Sequence, residues 1–312
     1  MAAIRRSILE PAARDAYVQG VLALKAETLG PTTAQLGIPG PPAPVTTWDL
    51  FVVWHQRAMM RMTPPTQGDR NAAHSGPVFL PWHRFMLLLL ELQLQRVLED
   101  PEAGLPYWDW AADGDLPEAE QPTTTLWSPD GIGGTGFPVL DGPFTGAAFP
   151  VLIESDRFGG LRQTRRGLLR DLAVDVTTLP TSSEVDAALD EKDFDADPWD
   201  RSSAGFRNRL EGWEPFPGPG LHNRVHVWVG GDMAPATSPN DPVFYLNHCN
   251  VDRIWESWLV RHGRTYVPGP LESPDLEGHR IGDAMDNLLT VQPVTPADVL
   301  DIAAFYTYDA LP

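Results

Sequence analysis

Apolar residues recur at helical spacing in several stretches of this chain, and turn-forming residues separate them. Over 11–28, Val18, Val21, Leu22 and Leu24 share one side of an amphipathic helix. Over 46–62, Phe51, His55, Met59 and Met62 recur at steps of four and three, which puts His55 on the core-forming face of a second helix. Pro64-Pro65 and Gly68 break the pattern over 63–77 and leave His74 on a loop. Pro81 suits the first turn of a third helix running to about Leu98, with His83 in that turn and Leu87 and Leu90 continuing its face. A short helix over 221–227 carries His222 and His226 one turn apart. Asn240-Asp241-Pro242 starts a longer helix and Gly263 stops it, so that Phe244, His248, Asp252 and Trp255 line one face. Thr295-Pro296-Ala297-Asp298 opens a last short helix before Tyr306-Thr307-Tyr308. The middle, 113–203, is rich in Pro, Gly and Asp and reads as loops. The pattern predicts a mainly α fold: a single domain over 1–312 on a four-helix bundle, with long loops and little β structure. Histidines from four helices and one loop point inward.

Composition narrows the function. The chain has 312 residues and a net charge of −19, with 42 acidic against 23 basic residues. That balance opposes binding to nucleic acid or to an anionic membrane surface. The longest greasy stretch, Phe85 to Leu90, is far too short to span a bilayer. No apolar core of signal-peptide length follows Met1-Ala-Ala-Ile-Arg-Arg. Cys249 is the single cysteine, so no internal disulfide forms, which fits a reducing compartment.

The chemistry lies in the histidines. Six of the eight fall into two triads, His55, His74 and His83 early and His222, His226 and His248 late. Imidazole is the commonest metal ligand. A zinc protease helix places Glu directly after its first His, where this chain has Asn223. Di-iron carboxylate sites need Glu ligands at fixed offsets from His, and neither triad offers them. A blue-copper site needs Cys, yet Cys249 follows His248 on a helix and points about 100° away from it. Magnesium and calcium want oxygen ligands. Copper fits an all-imidazole set best, and two cuprous ions together can pass two electrons to one dioxygen molecule.

The residues resemble the type 3 copper proteins, specifically bacterial tyrosinases. The resemblance rests on Phe79-Leu80-Pro81-Trp82-His83-Arg84, Pro106-Tyr107-Trp108-Asp109-Trp110, Leu221-His222-Asn223-Arg224-Val225-His226 and Ser238-Pro239-Asn240-Asp241-Pro242-Val243-Phe244, extended by Asp252-Arg253-Ile254-Trp255. It covers most of the chain, from Arg5-Arg6 to Tyr306-Thr307-Tyr308. The resemblance implies that His55, His74 and His83 bind one copper and that His222, His226 and His248 bind the second. It also implies that Phe244 packs over a histidine near the substrate ring and that Asp252 orients a ligand histidine. On sequence alone, a surface acid is an equal reading for Asp252.

The resemblance further implies a phenol oxidase that uses dioxygen to hydroxylate monophenols and to oxidise o-diphenols to o-quinones. A phenol with a pKa near ~10 arrives protonated at neutral pH, so hydroxylation needs a base. Asn223 and Glu211 match the pair that holds a basic water in similar enzymes. The stretch from Glu211 to His222 is longer than the family pattern, which makes Glu214 a competing candidate. Asn247 stands where many relatives have a second histidine, and Val227 where some carry a larger or charged residue, so both bear on substrate orientation. No cysteine lies near His74 to form a thioether with it. Alternatives are a catechol oxidase, an o-aminophenol oxidase, a haemocyanin-like dioxygen carrier or a zinc-binding structural domain. Bacterial relatives are similar to chains loaded with copper by a helper protein, so cytoplasmic residence and helper-assisted export are both open expectations.

Overall fold

The computed structural model describes residues 2–213 and 218–312, so Glu214 lies outside the described residues. In chain order, strand β1 (Ala3–Arg5) precedes α1 (Pro11–Ala26), α2 (Thr47–Met60), α3 (Phe79–Leu98) and the single turn α4 (Trp110–Gly114). A hairpin follows, β2 (Val151–Ser155) and β3 (Leu161–Arg166). Then come α5 (Ser182–Leu189), α6 (Phe206–Glu211), α7 (Leu221–Val229), α8 (Val243–His262) and β4 (Tyr306–Tyr308). The fold is mainly helical, with only these two small sheets among the described residues.

Local chemistry fixes the helix ends. The Thr46 hydroxyl accepts the backbone N–H of Asp49 at 3.0 Å and starts α2. The Asp49 carboxylate accepts in turn from the buried ammonium of Lys25, which ties α1 to α2. Pro81 falls in the first turn of α3, where a missing N–H costs no helical bond. Asp241 caps the start of α8 by accepting the Val243 N–H, and both its oxygens meet the guanidinium of Arg170. Gly263 ends α8 at φ 95°, a conformation costly for other residues. The second helix stops at Met60, so Met62 lies beyond it and leaves the face expected to carry it.

Helix α3 packs between α1 and α8. Gly20 lets α1 come so close that a Cβ there would lie 2.6 Å from a Leu94 methyl of α3. Aromatic edges fill the interior. Trp54 of α2 meets Trp82 and Phe85 of α3 with centroids 5.0 and 5.4 Å apart. Trp48 of α2 meets Tyr245 of α8 at 4.9 Å. Such contacts add about 0.5–1.5 kcal/mol each beyond burial, and they hold the helices at fixed spacing.

Two arrangements depart from the expected loops. The middle segment contains the β2–β3 hairpin, whose Ile153 packs with Ile38, Val45 and Val53 in a small second core. The two ends of the chain meet in a parallel pair, with Ala3 opposite Tyr306 and Arg5 opposite Tyr308.

Candidate metal centre

Helix α2 supplies His55, α3 His83, α7 both His222 and His226, and α8 His248. His74 comes from the loop between α2 and α3, where the Asn71 carboxamide oxygen accepts its backbone N–H at 2.8 Å. The ligand nitrogens within each triad all lie within 4.8 Å of one another. His83 and His248 stack across the two triads, with centroids 4.1 Å apart and planes 9° from parallel. The triads are therefore adjacent halves of one centre.

Backbone carbonyls orient the rings. Nδ1 of His55 donates to the Ala236 carbonyl at 2.7 Å, that of His83 to Phe79 at 2.8 Å and that of His226 to Met233 at 2.7 Å. Nδ1 of His222 lies 3.2 Å from the Glu211 carbonyl and 3.1 Å from the Asn223 side-chain oxygen. An oxygen acceptor fixes the proton on Nδ1 and leaves the Nε2 lone pair free. Nε2 of His55 and of His83 are buried without a hydrogen-bond partner among the described residues. Nε2 of His248 sits 3.2 Å from that of His222 and 3.4 Å from that of His226. Three ring nitrogens that converge so closely suit a shared cation. Burial keeps them neutral: it pulls the His55 imidazole down to about 3 and that of His226 to about 4. It pushes His74, His83, His222 and His248 well below the ordinary histidine range. Neutral imidazole is the ligating form, so the donor set fits two metal ions that accept nitrogen.

A cavity of 540 Å³ opens onto this centre. Its wall includes His55, His74, His222 and His226, with Met59, Asn223 and Val227 beside them. Val227 thus borders the space where a ring would enter. Asn223 also faces it, and its Nδ2 is buried with no partner among the described residues.

Phe244 takes a different place. Its ring lies 4.2 Å from His248 and 4.9 Å from His55, but it is fully buried and forms packing behind the imidazoles instead of cavity wall. Asn247, expected to bear on substrate orientation, is, like Glu211, also fully buried and outside the cavity wall. One residue along the helix from His248, it is turned away from the opening.

Asp252 requires a larger correction. It is neither a surface acid nor the partner of a histidine. Its carboxylate is buried and accepts from Arg84, from Arg5 at 3.1 Å and from the hydroxyls of Tyr306 and Tyr308. The arginines and hydroxyls hold it below the usual carboxylate range against the opposing cost of burial. Position four after His248 places it on the expected face, but a full turn away from the imidazole, where α3 and the terminal strands supply its partners.

Glu211 ends α6 and is fully buried. Oε1 accepts the Ser75 N–H at 2.6 Å and Oε2 accepts from Arg207 at 3.0 Å. Burial pushes its carboxyl above the usual range, with Arg207 and Ser75 opposing. Each oxygen keeps a second lone pair. Sequence reasoning missed Arg207, which is fully buried between Glu211 and Asp195, and also Arg201 and Trp213 of the cavity wall. None of them carries a local periodic signal.

Comparison with known proteins agrees with the geometry. Residues 45–261 match the family model described as the common central domain of tyrosinase. The tyrosinase of Streptomyces glaucescens is 42% identical over 269 residues, covering 84% of this chain and 88% of its own. Grixazone synthase of Streptomyces griseus is 38% identical over 287 residues, covering 84% and 90%. In structure, a polyphenol oxidase variant from Thermothelomyces thermophila shares the fold with a TM-score of 0.74 at 23% identity, covering 99% of this chain and 89% of its own. A functional unit of octopus hemocyanin matches with a TM-score of 0.55 at 19% identity, covering 99% and 68%.

Proposed function

Because this chain belongs to the tyrosinase family, we propose that it is a copper-dependent phenol oxidase that hydroxylates monophenols and oxidises o-diphenols to o-quinones with dioxygen. The observation that carries this reading is the pair of neutral histidine triads at the base of an open cavity. Residues 1–312 act in it as one catalytic domain, supported by a main core that runs from Ile8 to Val299. His55, His74 and His83 hold one copper, and His222, His226 and His248 the other. When bound, the two coppers supply the electrons that reduce dioxygen and the Lewis acidity that binds a phenolate.

The chain's own residues do the rest. Carbonyl-anchored Nδ1 groups of His55, His83, His222 and His226 keep their Nε2 atoms aimed at the metals. Val227 and Met59 give the phenol ring an apolar wall. Asn223 and Glu211 hold the water that takes the phenolic proton, supported by the free Nδ2 of Asn223 and the raised affinity of Glu211 for a proton. Glu214 is the competing acid. Phe244 fixes His248 and His55 from behind.

A second reading, oxidation of o-diphenols and o-aminophenols with little monophenol hydroxylation, is favoured by one observation: both Glu211 oxygens already accept a donor. The test is turnover of the copper-loaded enzyme on 4-ethylphenol, 4-methylcatechol and o-aminophenol. The main reading expects all three to react, and it expects Glu211→Gln to lower 4-ethylphenol turnover at least tenfold more than 4-methylcatechol turnover. Oxidation of the catechol alone overturns monophenol hydroxylation. No turnover of any substrate, with copper bound, points to a carrier.

Copper reaches the buried histidines through the cavity mouth, delivered in this proposal by a small helper protein, either in the cytoplasm or during export. No helix among the described residues is long and apolar enough to cross a membrane.

A further inference from the structure

The cavity wall contains no aspartate or glutamate among the described residues, although the chain as a whole carries a net charge of −19. Its one arginine is Arg201. We propose that Arg201 selects phenols that bear a carboxylate on the substituent opposite the hydroxyl, an inference that rests on the phenol-oxidase reading of this site.

Arg201 is exposed, yet its guanidinium is held on two sides. Its Nε donates to the hydroxyl of Ser75 at 3.0 Å, and Ser75 directly follows His74. Its planar group lies over the Trp213 ring, 4.4 Å from the centroid. Cation–ring contact of this kind restrains a guanidinium without using its N–H donors.

The backbone beneath is equally fixed. The Asn208 amide donates to the carbonyls of Arg201 and Ser203 at 2.9 and 2.7 Å, and buried Arg207 donates to that of Asp200 at 2.9 Å. With Nε engaged, both Nη groups have no partner among the described residues. That leaves a pre-oriented fork suited to the two oxygens of a carboxylate.

Arg201 shares the cavity wall with His55, His74, His222 and His226, so a ring seated over the histidines can meet it with its far substituent. A side chain ending in an ammonium group meets repulsion at the same place.

The test compares 3-(3,4-dihydroxyphenyl)propanoate with dopamine on the copper-loaded enzyme, in wild type, Arg201→Met, Arg201→Lys and Arg201→Glu. Wild type should favour the anionic catechol. Arg201→Met should lower the anionic-to-cationic ratio of kcat/KM about tenfold, mainly through KM. Arg201→Lys should recover part of that ratio and Arg201→Glu should invert it. The wild-type preference should shrink between 0.05 and 0.5 M salt. Binding is read separately as inhibition of 4-methylcatechol oxidation: 3-phenylpropanoate should inhibit better than phenethylamine, and only in enzymes with a cation at 201. Oxidation of both catechols with a ratio unmoved by any variant overturns the role of Arg201. Failure to oxidise either catechol overturns the phenol-oxidase reading instead.

Discussion

Replacing Asp252 by Ala should destabilise the protein without removing a metal ligand. The carboxylate is 3% exposed and is shared by two guanidiniums, each fully buried. Arg5 keeps Glu91 as a second partner at 2.8 Å, and Arg84 keeps Glu256 at 3.4 Å, a carboxylate it shares with Arg264. With Asp252 gone, the two buried guanidiniums keep one carboxylate each, the Tyr306 hydroxyl loses its acceptor and that of Tyr308 keeps only the Cys249 carbonyl at 3.0 Å. Breaking a buried pair by removing one partner costs about 3–5 kcal/mol. For a chain of this size, at roughly 2 °C per kcal/mol, the melting temperature should fall by about 6–10 °C. Calorimetry of the metal-free protein reads that shift. Copper content, measured well below the melting temperature, should stay at two ions per chain, because no histidine leans on this carboxylate. A melting temperature lowered by less than about 2 °C, or a loss of copper with unchanged melting, would refute the reasoning. The second outcome would restore Asp252 as a histidine-orienting group.

Two further outcomes follow from burial. In the metal-free protein the six site histidines bind protons only well below the ordinary value near 6.5, which they recover on unfolding. The unfolded chain therefore binds more protons as pH falls below about 6.5, and stability present above that value drops by up to about 8 kcal/mol per pH unit for six groups. Urea midpoints of the metal-free protein should collapse between pH 6 and 5, while the copper-loaded protein, whose ligands exclude protons, persists lower; equal midpoints across that range contradict this. The Cys249 thiol, pushed up to about 12 by burial, should not react with a thiol reagent in the native protein and should give one equivalent in urea. Rapid native labelling would show that α8 opens locally.

What the sequence made legible was local. Thr46, Pro81, Asp241 and Gly263 act within one turn of the backbone they terminate, so α2, α3 and α8 could be placed to within about two residues. The i, i+4 pair on α7 and the inward face of α2 follow from helical geometry alone. What escaped depends on partners far along the chain. Asp252 stands at the right helical step for a histidine contact, but the arginine that claims one of its oxygens lies 247 residues away. The β2–β3 hairpin hides because Leu161–Arg166 is almost wholly polar, with its side chains partly exposed instead of alternating cleanly. Arg201 sits in a Pro- and Asp-rich loop that looks featureless until Asn208 and Arg207 are seen gripping its carbonyls.

The parallel pairing of Ala3–Arg5 with Tyr306–Tyr308 sets an order of events during synthesis. A ribosome adding roughly 5–20 residues per second finishes the last strand some 15–60 s after the first emerges. Until then the hydroxyls that flank Arg5 do not exist. The newborn chain therefore carries its opening strand as a loose end. The seam that joins the two longest helices through Arg5 closes only once Tyr306–Tyr308 has been made.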